Sequence, residues 1–304
     1  MNEPDIGHSL LAINYSLNAS RKKLRNLLMN EREFHFTKYD FDRLRQLVNE
    51  HTGIKLSDHK QEMLYSRLSR RLRALNLNSF SSYYKLLQKD NGEELVHFIN
   101  AITTNLTAFF REPHHFELLE QVLLPQLFIK KQTSRRLRIW SAGCASGEEA
   151  YSIAMVVKEV VPFDWDVKIL ATDLDSSVLE KGKQGIYEED RISGISPGRL
   201  HRWFKKGTNK AAGKMQVSEE LRSLITFKHL NLMGLWPMHG PFDMIFCRNV
   251  VIYFDKATQK ILFGRFANIL DKEAYLLIGH SENLFQLSTH FRLLQQTVYI
   301  KTEE

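Results

Sequence analysis

The stretch Leu137-Arg-Ile-Trp-Ser-Ala-Gly-Cys-Ala-Ser-Gly-Glu-Glu-Ala-Tyr151 decides the fold of this chain. It opens with a short apolar run around Ile139 and Trp140, which is typical of a buried parallel strand. Gly143 and Gly147 then mark a tight turn, and apolar residues resume beyond it with helical spacing. A strand, a glycine turn and a helix N-terminus predict the nucleotide-binding corner of a doubly wound α/β domain.

Two acidic residues at the start of this helix indicate which cofactor the turn takes. The glycine spacing is G-x-x-x-G and not the dinucleotide fingerprint G-x-G-x-x-G, so an ordinary βα turn stays an alternative. Glu148 and Glu149 would repel a pyrophosphate at the helix N-terminus. S-adenosylmethionine has no phosphate and carries a sulfonium and an ammonium, so it suits an acidic first turn. Alternatively, both glutamates only complement the helix dipole, at about 0.3 to 1 kcal/mol each.

Composition and charge bound the class of protein. The 304 residues suffice for two domains with a full α/β core. Because no apolar run resembles a signal peptide or approaches the roughly 20 residues of a membrane span, we expect a cytoplasmic protein. Cys144 and Cys247 are too few for a disulfide framework or a multi-cysteine zinc site. The net charge of +7 favours an acidic partner, and its basic residues concentrate in Lys60–Arg73 and Arg199–Lys214, which predicts two basic surfaces.

The N-terminal part of the chain has a helical pattern. Residues 1–33 are polar, and we interpret them as an extension of weak or conditional helix. Helices are expected to begin near Thr37, Ser57, Ser79 and Glu93, where a capping residue or an acidic first turn precedes apolar residues at helical spacing.

The second of these helices has two distinct faces. Leucines at spacing four, from Leu64 to Leu72, form an apolar stripe, and Arg67, Arg70 and Arg71 lie together on another face. The arginines are either a solvated face or a docking surface for an acidic partner.

A polar segment, Thr103–Pro113, follows the helices. Its threonines and Asn105 compete for backbone hydrogen bonds and interrupt the helix, and Pro113 suits the first turn of a new helix that runs to about Phe128. The segment can be a plain linker. However, Arg111 follows two phenylalanines and should be partly desolvated, which calls for a carboxylate or another fixed acceptor.

Two later strands should deliver polar residues to the edge where such sheets bind ligands. The strand Val167–Thr172 is closed by Asp173, at about the position of the carboxylate that binds a ribose hydroxyl in doubly wound folds. The strand Leu224–Leu230 leads to Asn231-Leu232. We interpret Asp173 as a functional carboxylate, with a plain helix cap as the alternative.

The strand Phe242–Cys247 delivers the most telling residues of the C-terminal half. A polar Arg248-Asn249 pair directly after a buried strand is hard to explain as packing. Tyr253 is either an interface tyrosine or a hydrogen-bond donor in the cleft.

The remaining segments predict the rest of the domain. A short helix at Pro197 precedes two candidate strands, His201–Gly207 and Lys214–Val217, which we interpret as a small antiparallel insertion. A helix at Thr258–Leu270 and strands at Tyr275–Ile278 and Thr297–Lys301 complete the pattern.

Metal and triad chemistry find little support in the sequence. His114 and His115 are adjacent and so are not expected to share a helix face, and neither H-E-x-x-H nor G-x-S-x-G occurs.

Several of these segments together resemble the bacterial chemotaxis receptor glutamate O-methyltransferases, the CheR family. They are Thr103–Glu112, Ser141–Tyr151, Asp173, and Phe242–Phe254 with the later run Gly279–Asn283. The resemblance covers nearly all of residues 34–301, and Asn-Leu-Thr-x-Phe-Phe-Arg and Cys-Arg-Asn-Val-x-Ile-Tyr-Phe are its most specific motifs.

The resemblance implies a fold and an activity. The fold is an α/β, Rossmann-like S-adenosylmethionine-dependent methyltransferase domain at 114–304, with a small antiparallel β-subdomain at 200–222. It follows an extension at 1–33 and an all-α domain with linker at 34–113. The implied reaction transfers the methyl group of S-adenosylmethionine to receptor glutamate carboxylates, which yields methyl esters and S-adenosylhomocysteine for sensory adaptation. No metal is implied.

The resemblance also implies site residues and partners. Arg111 and Tyr253 match the residues beside the transferred methyl group, and Arg67, Arg70 and Arg71 match the face that meets the cytoplasmic helices of the receptor. The β-subdomain matches a module that docks a receptor's C-terminal tail peptide in some members. We expect a monomer that is recruited to membrane receptor arrays. The matching cofactor contacts are Asn105, Thr107, Arg111, Glu149, Asp173, Asn231, Leu232, Arg248 and Asn249.

Two other functions stay open on the residues alone. The basic charge permits methylation of nucleic acid, but Arg248-Asn249 stands where amino-methylating enzymes of this fold have an N-P-P-Y type of motif, so we expect no nucleic-acid substrate. A receptor-binding adaptor without activity is the third alternative. A carboxylate with a reference pKa of about 4.3 needs no general base to attack a methyl sulfonium, which fits the lack of an obvious catalytic base.

Overall fold

The computed structural model describes residues 32–90 and 92–302, which form two compact units. One comprises residues 32–44 and 61–89, and the other residues 45–60 and the described part of 90–302. The predicted extension at 1–33 lies almost entirely outside the described residues. The predicted domain boundary after Pro113 stays a prediction.

The N-terminal helices form where the capping residues predict them. Thr37 Oγ1 accepts a hydrogen bond from the Asp40 amide at 3.0 Å, and Ser79 Oγ accepts one from Ser82 at 3.2 Å. Near Ser57 a 3₁₀ turn, Asp58–Lys60, comes first. The helices are α1 (Lys38–Thr52), α2 (Gln61–Ala74), α3 (Phe80–Lys89) and α4 (Glu93–Ile102).

The basic helix α2 has the two faces expected of it. Leu64, Leu68 and Leu72 are completely buried. Arg67 and Arg71 are half-buried, and Arg70 is exposed. Burial of the leucine stripe therefore fixes which face of α2 carries the arginines.

The helix that follows Pro113 continues past Phe128 to Lys131, with one irregular turn. Pro125 cannot donate a backbone hydrogen bond and crowds the preceding turn, and a π-turn at Leu119–Leu123 accommodates it. The helices of this part are α5 (His114–Leu118), α6 (Leu124–Lys131), α7 (Glu148–Val160), α8 (Ser176–Gln184), α9 (Pro197–Trp203), α10 (Glu219–Arg222) and α11 (Lys256–Ile269).

Ten strands form a large mixed sheet and a small antiparallel one. They are β1 (Arg136–Ala142), β2 (Asp166–Asp173), β3 (Ile186–Glu188), β4 (Phe204–Lys206), β5 (Lys214–Val217), β6 (Ile225–His229), β7 (Phe242–Cys247), β8 (Leu270–Ile278), β9 (Phe291–Gln295) and β10 (Val298–Lys301). The order in the large sheet is β6-β2-β1-β7-β8-β10-β9. Strands β6, β2, β1, β7 and β8 are parallel, whereas β10 pairs antiparallel with β8, and β9 pairs antiparallel with β10. This confirms the predicted α/β class and puts the topological switch point between β1 and β7.

The small sheet departs from the predicted insertion in two ways. Its order is β3-β5-β4, so a third strand, Ile186–Glu188, lies before the predicted start at residue 200. Three residues are too few to show a strand periodicity. In addition, His201–Trp203 belong to α9, and only Phe204–Lys206 of that predicted strand are extended.

The large sheet carries the main core. Every residue of β7 is buried, as expected of a central parallel strand. Apolar side chains cover both faces of the sheet in two clusters, one around Tyr151 and Phe246 and the other around Trp140 and Phe266. Within the residues that the structure describes, no helix combines the length and apolarity that crossing a membrane requires.

Candidate active site

The turn after β1 is shaped by residues with positive φ. Gly143 has φ +92°, Ala145 +47° and Gly147 +97°. A Cβ atom at Gly143 would lie 2.3 Å from Val250 Cγ2, so only glycine permits the turn to approach the segment that follows β7. We call residues Gly143–Gly147 the cofactor loop. It lies at the switch point between β1 and β7.

Asp173, at the end of β2, holds this loop. Its Oδ2 accepts a hydrogen bond from the Ala145 amide at 2.8 Å, and its Oδ1 accepts one from the Asp175 amide at 2.9 Å. Burial raises the pKa of Asp173, although these backbone hydrogen bonds act in the opposite direction. Both carboxylate oxygens of Asp173 therefore accept hydrogen bonds from backbone amides, one in the turn after β1 and one directly after β2.

Asp175, which the sequence analysis did not single out, connects this edge to the polar segment 103–111. Its Oδ1 caps α8 through the Ser177 amide at 2.9 Å. Its Oδ2 accepts hydrogen bonds from Thr103 Oγ1 and Asn105 Nδ2, each at 2.7 Å. Two hydrogen bonds, both made by Asp175, therefore link the predicted cofactor residue Asn105 to Asp173. An Asp-Ser-Ser run before a helix is an N-cap signal that could have identified Asp175.

Arg248 is the centre of the site. Its side chain is 2% exposed, its Nη1 lies 3.2 Å from Glu149 Oε2, and its Nη2 lies 3.0 Å from Glu112 Oε2. Nη2 also donates to the backbone carbonyl of Arg111. The guanidinium carbon lies 5.5 Å from the centre of the Phe116 ring. One buried cation therefore joins β7, α7 and the end of the polar segment.

The two carboxylates that face Arg248 respond differently to burial. Burial raises the pKa of Glu149, and Arg248 and a 2.7 Å hydrogen bond from Ser141 offset this only in part. Burial also acts to raise the pKa of Glu112, but Arg248 and hydrogen bonds from His280 and Asn249 outweigh it and lower the pKa. Glu112 is thus the carboxylate that Arg248 keeps charged.

Asn249 and the turn after it are held by Glu282. Asn249 has φ +58°, and its amide donates to Glu282 Oε2 at 3.0 Å. Glu282 also accepts from the Ile252 amide at 3.2 Å and from the Gly279 amide. Burial raises the pKa of Glu282, against the effect of these backbone donors. This carboxylate fixes the 3₁₀ turn Val251–Tyr253 and therefore the start of the Tyr253 side chain.

Replacing Glu282 with glutamine is expected to lower the free energy of unfolding by about 1 to 3 kcal/mol, because an amide presents N–H donors to a nest of backbone donors. Denaturant unfolding measures the change. The matched control is Glu180→Gln, which removes an exposed carboxylate 3.6 Å from Lys183 and should cost less than about 0.5 kcal/mol. An unchanged midpoint for Glu282→Gln would contradict the clamp.

The two residues predicted to be catalytic have few polar partners. Arg111 is half-buried, and its Nη1 donates to the Leu106 carbonyl at 3.0 Å, a fixed acceptor of the kind expected. Tyr253 is half-buried, and among the described residues its hydroxyl has no hydrogen-bond partner. Phe110 and Glu112, on either side of Arg111, both have positive φ.

Asn231 and Leu232 are tied to their surroundings by their polar atoms. Asn231 Nδ2 donates to the His51 carbonyl at 2.6 Å, and its Oδ1 accepts from the Met233 amide at 2.9 Å. The Leu232 carbonyl accepts from Arg265 at 2.6 Å. The preceding residue, Leu230, donates its amide to the Asp173 carbonyl at 3.0 Å, which brings this segment to the same edge.

The second predicted basic surface is partly neutralised. Lys206 lies 3.1 Å from Glu189, and Lys214 lies 3.5 Å from Glu188. Arg199 pairs with Glu159 at 2.7 Å. These acidic residues lie outside the basic run in sequence. The number of basic residues in the run therefore overestimated the unpaired positive charge of this surface. Arg67, Arg70 and Arg71 belong to the other compact unit.

One group of side chains has the donors of a metal site. Ligand atoms of Glu112, His114 and His115 lie within 4.8 Å of one another, and the two imidazole centres are 4.3 Å apart. The two imidazoles therefore lie close together at this helix N-terminus, although adjacent residues were not expected to share a helix face. However, Glu112 already pairs with Arg248, and burial together with Arg248 lowers the pKa of His115 to about 3. Glu112 is therefore already engaged by a cation of the protein itself.

Comparison with known proteins gives consistent matches over most of the chain. The family described as "CheR methyltransferase, all-alpha domain" matches residues 39–103, and "CheR methyltransferase, SAM binding domain" matches residues 105–300. Chemotaxis protein methyltransferase 2 of Pseudomonas aeruginosa is 46% identical, over 90% of this chain and 96% of that protein. The chemotaxis protein methyltransferase of Escherichia coli is 43% identical, over 87% of this chain and 91% of that protein.

Proposed function

Because this chain belongs to the CheR methyltransferase family, we infer that it is an S-adenosylmethionine-dependent methyltransferase that modifies chemotaxis receptors. It transfers the methyl group to glutamate side-chain carboxylates, forming methyl esters and S-adenosylhomocysteine, and so serves sensory adaptation. The α/β domain with its small antiparallel sheet follows an all-α domain, and this architecture supports the proposal.

The observation that carries this proposal is the set of buried charges at the switch point. Glu112 and Glu149 face the buried cation Arg248 there, and Asp173 lies at the end of β2, where it accepts from the cofactor loop. A surplus of carboxylates would repel a phosphate and favours a cofactor that carries a sulfonium and an ammonium. The site fits the cofactor's carboxylate as well, since the buried Arg248 Nε has no acceptor among the described residues.

We propose the cofactor contacts that the family resemblance implies. Asn105, Thr107 and Arg111 lie on the polar segment, and the other contacts lie at or beyond strand termini. Their common support is the hydrogen-bond network at the carboxyl edge of the sheet. The remaining contacts are Glu149, Asp173, Asn231, Leu232, Arg248 and Asn249.

The proposed chemistry needs alignment more than proton transfer. Bound S-adenosylmethionine supplies an electrophilic methyl group, and a glutamate carboxylate is already ionised at neutral pH. Arg111 and Tyr253 hold and orient this acceptor. Pre-organisation of this kind can contribute roughly 7 to 11 kcal/mol. Tyr253 suits the role because Glu282 fixes its turn while its hydroxyl has no partner among the described residues.

The partners follow from the charged surfaces. Arg67, Arg70 and Arg71 meet the cytoplasmic helices of the receptor, and the edges of the small sheet can add a receptor tail peptide as a further strand. The protein acts as a cytoplasmic monomer that receptor arrays recruit to the membrane. Pairing of Arg199, Lys206 and Lys214 with acids weakens the charge argument for nucleic acid.

Methyl transfer from labelled S-adenosylmethionine to receptor-bearing membranes tests the function. The label is expected on receptor protein and should be released by mild base, because the product is a carboxyl ester. Receptors whose accepting glutamates are replaced by aspartate serve as control and should stay unlabelled. Label that resists base, or that appears only on nucleic acid, would overturn the proposal.

A further inference from the structure

The small sheet contacts the cofactor loop directly through its strand β3. Tyr187 donates its hydroxyl to the Ser146 carbonyl at 2.7 Å. Its ring packs edge-on against Phe109 with centres 4.9 Å apart. A Cβ atom at Gly147 would lie 3.1 Å from the Tyr187 hydroxyl, so this contact constrains the loop closely. The small sheet is thus part of the wall behind the cofactor loop.

Arg191 makes the most specific of these contacts. It lies in the 3₁₀ turn Glu189–Ile192, directly after β3. Its Nη2 donates to Glu148 Oε1 at 2.6 Å and to the Thr107 carbonyl at 3.0 Å. One guanidinium nitrogen therefore binds both the first residue of α7 and the polar segment 103–111.

The two partners of Arg191 belong to two different segments of the proposed cofactor site. Glu148 is 1% exposed and begins α7 directly after the cofactor loop, and its Oε2 accepts a 2.7 Å hydrogen bond from Ser146 within that loop. Thr107 lies between Asn105 and Arg111, which are proposed cofactor contacts. The Arg191 side chain itself is 40% exposed. Its importance thus comes from the buried groups that it joins.

We propose that Arg191 is a positioning residue that sets the separation between the cofactor loop and the segment 103–111, and thereby the affinity for the cofactor. The inference rests on the proposed function, since it requires that the cofactor binds at this edge. Because Arg191 belongs to the small sheet's own turn, a ligand that displaces this turn would change cofactor affinity by the same route.

Calorimetric titration with S-adenosylhomocysteine tests the role of Arg191. Arg191→Met is expected to weaken binding about tenfold, since it removes a hydrogen bond to a charged group. Arg191→Lys keeps the charge but cannot reproduce the planar fork, so its loss should be intermediate. At saturating cofactor, Arg191→Met should keep its kcat, while its KM for S-adenosylmethionine rises. A merely destabilised protein would not show this split.

The matched control is Arg135→Met. Arg135 precedes β1, at the opposite edge of the sheet, and pairs with Asp164 on the surface. Its replacement is expected to leave cofactor affinity within about twofold of the wild type. Wild-type affinity in Arg191→Met, or an equal loss in Arg135→Met, would overturn the inference.

A double-mutant cycle with Glu148→Gln tests whether Arg191 acts through this carboxylate. In the Glu148→Gln background, Arg191→Met is expected to cost clearly less affinity than in the wild type, because the pair is already broken. Fully additive losses would contradict the assigned route. If the wild-type protein bound no S-adenosylhomocysteine, the proposed function itself would fail, which is a different outcome from wild-type affinity in Arg191→Met.

Discussion

Replacing Arg248 with methionine is expected to weaken S-adenosylhomocysteine binding by more than about a hundredfold and to lower the free energy of unfolding by about 3 to 5 kcal/mol. The side chain is 2% exposed and faces Glu112 and Glu149 at 3.0 and 3.2 Å. Removing one partner of a buried ion pair leaves the other charge without compensation, which costs more than the pair itself contributes. Calorimetric titration and denaturant unfolding measure the two effects.

The pH dependence of the Arg248→Met variant identifies the cause of its instability. Arg248 lowers the pKa of Glu112, so without it the folded-state pKa of this carboxyl rises above its unfolded value of about 4.3. A carboxyl with a raised folded-state pKa loses stability as pH rises through the interval between the two values. The stability gap to the wild type should therefore widen as the pH rises above about 4.3.

Two further variants separate charge from packing at this position. Arg248→Met combined with Glu112→Gln should recover part of the lost stability, because the carboxylate that Arg248 keeps charged is then gone. Arg199→Met is the control for the loss of a paired arginine, since Arg199 is 26% exposed and pairs with Glu159 at 2.7 Å away from the carboxyl edge, and it should leave cofactor binding unchanged. Retained cofactor binding in Arg248→Met would show that Arg248 is structural only.

The sequence could predict the parts of the site that depend on strand termini. Asp173 and Arg248-Asn249 follow apolar runs, and the carboxyl ends of parallel strands meet at one edge wherever the strands lie in the sheet. The turn at Gly143–Gly147 was predictable for a local reason. Its two glycines have positive φ angles, and glycine is the residue that adopts them most readily.

The compensation of charges could not be predicted from local sequence. Glu148 and Glu149 suggested an acidic first turn open to a cationic cofactor. In the structure Glu148 pairs with Arg191, and Glu149 pairs with Arg248, 43 and 99 residues away along the chain. Nothing near either glutamate indicates such partners.

Two short strands were not predicted, for a different reason. The strand Ile186–Glu188 has three residues, and the edge strand Phe291–Gln295 has four exposed residues out of five, so neither shows a core-facing alternation. The clamp Glu282 was quoted only as part of a motif. Its role depends on backbone amides of two separate loops, which sequence patterns do not describe.

Replacing Tyr253 with phenylalanine, or Arg111 with alanine, is expected to reduce kcat by about a hundredfold at saturating cofactor and receptor. The acceptor carboxylate needs no base, so its alignment with the methyl group is what these side chains contribute. Loss of a group that acts only on the acceptor should lower kcat while S-adenosylhomocysteine affinity in Tyr253→Phe stays within about twofold of the wild type.

Tyr275→Phe is the matched control for the tyrosine. Tyr275 lies within β8, and its hydroxyl donates to Gln126 at 2.5 Å, away from the strand terminus. This variant should keep wild-type turnover. If Tyr253→Phe and Arg111→Ala both did so as well, the two side chains would not position the acceptor.

An ion pair strong enough to hold the acceptor would also lower its nucleophilicity. Arg111→Lys keeps the charge but loses the planar fork, so its activity should resemble that of Arg111→Ala more than that of the wild type. A lysine variant with full activity would instead mean that charge alone recruits the glutamate.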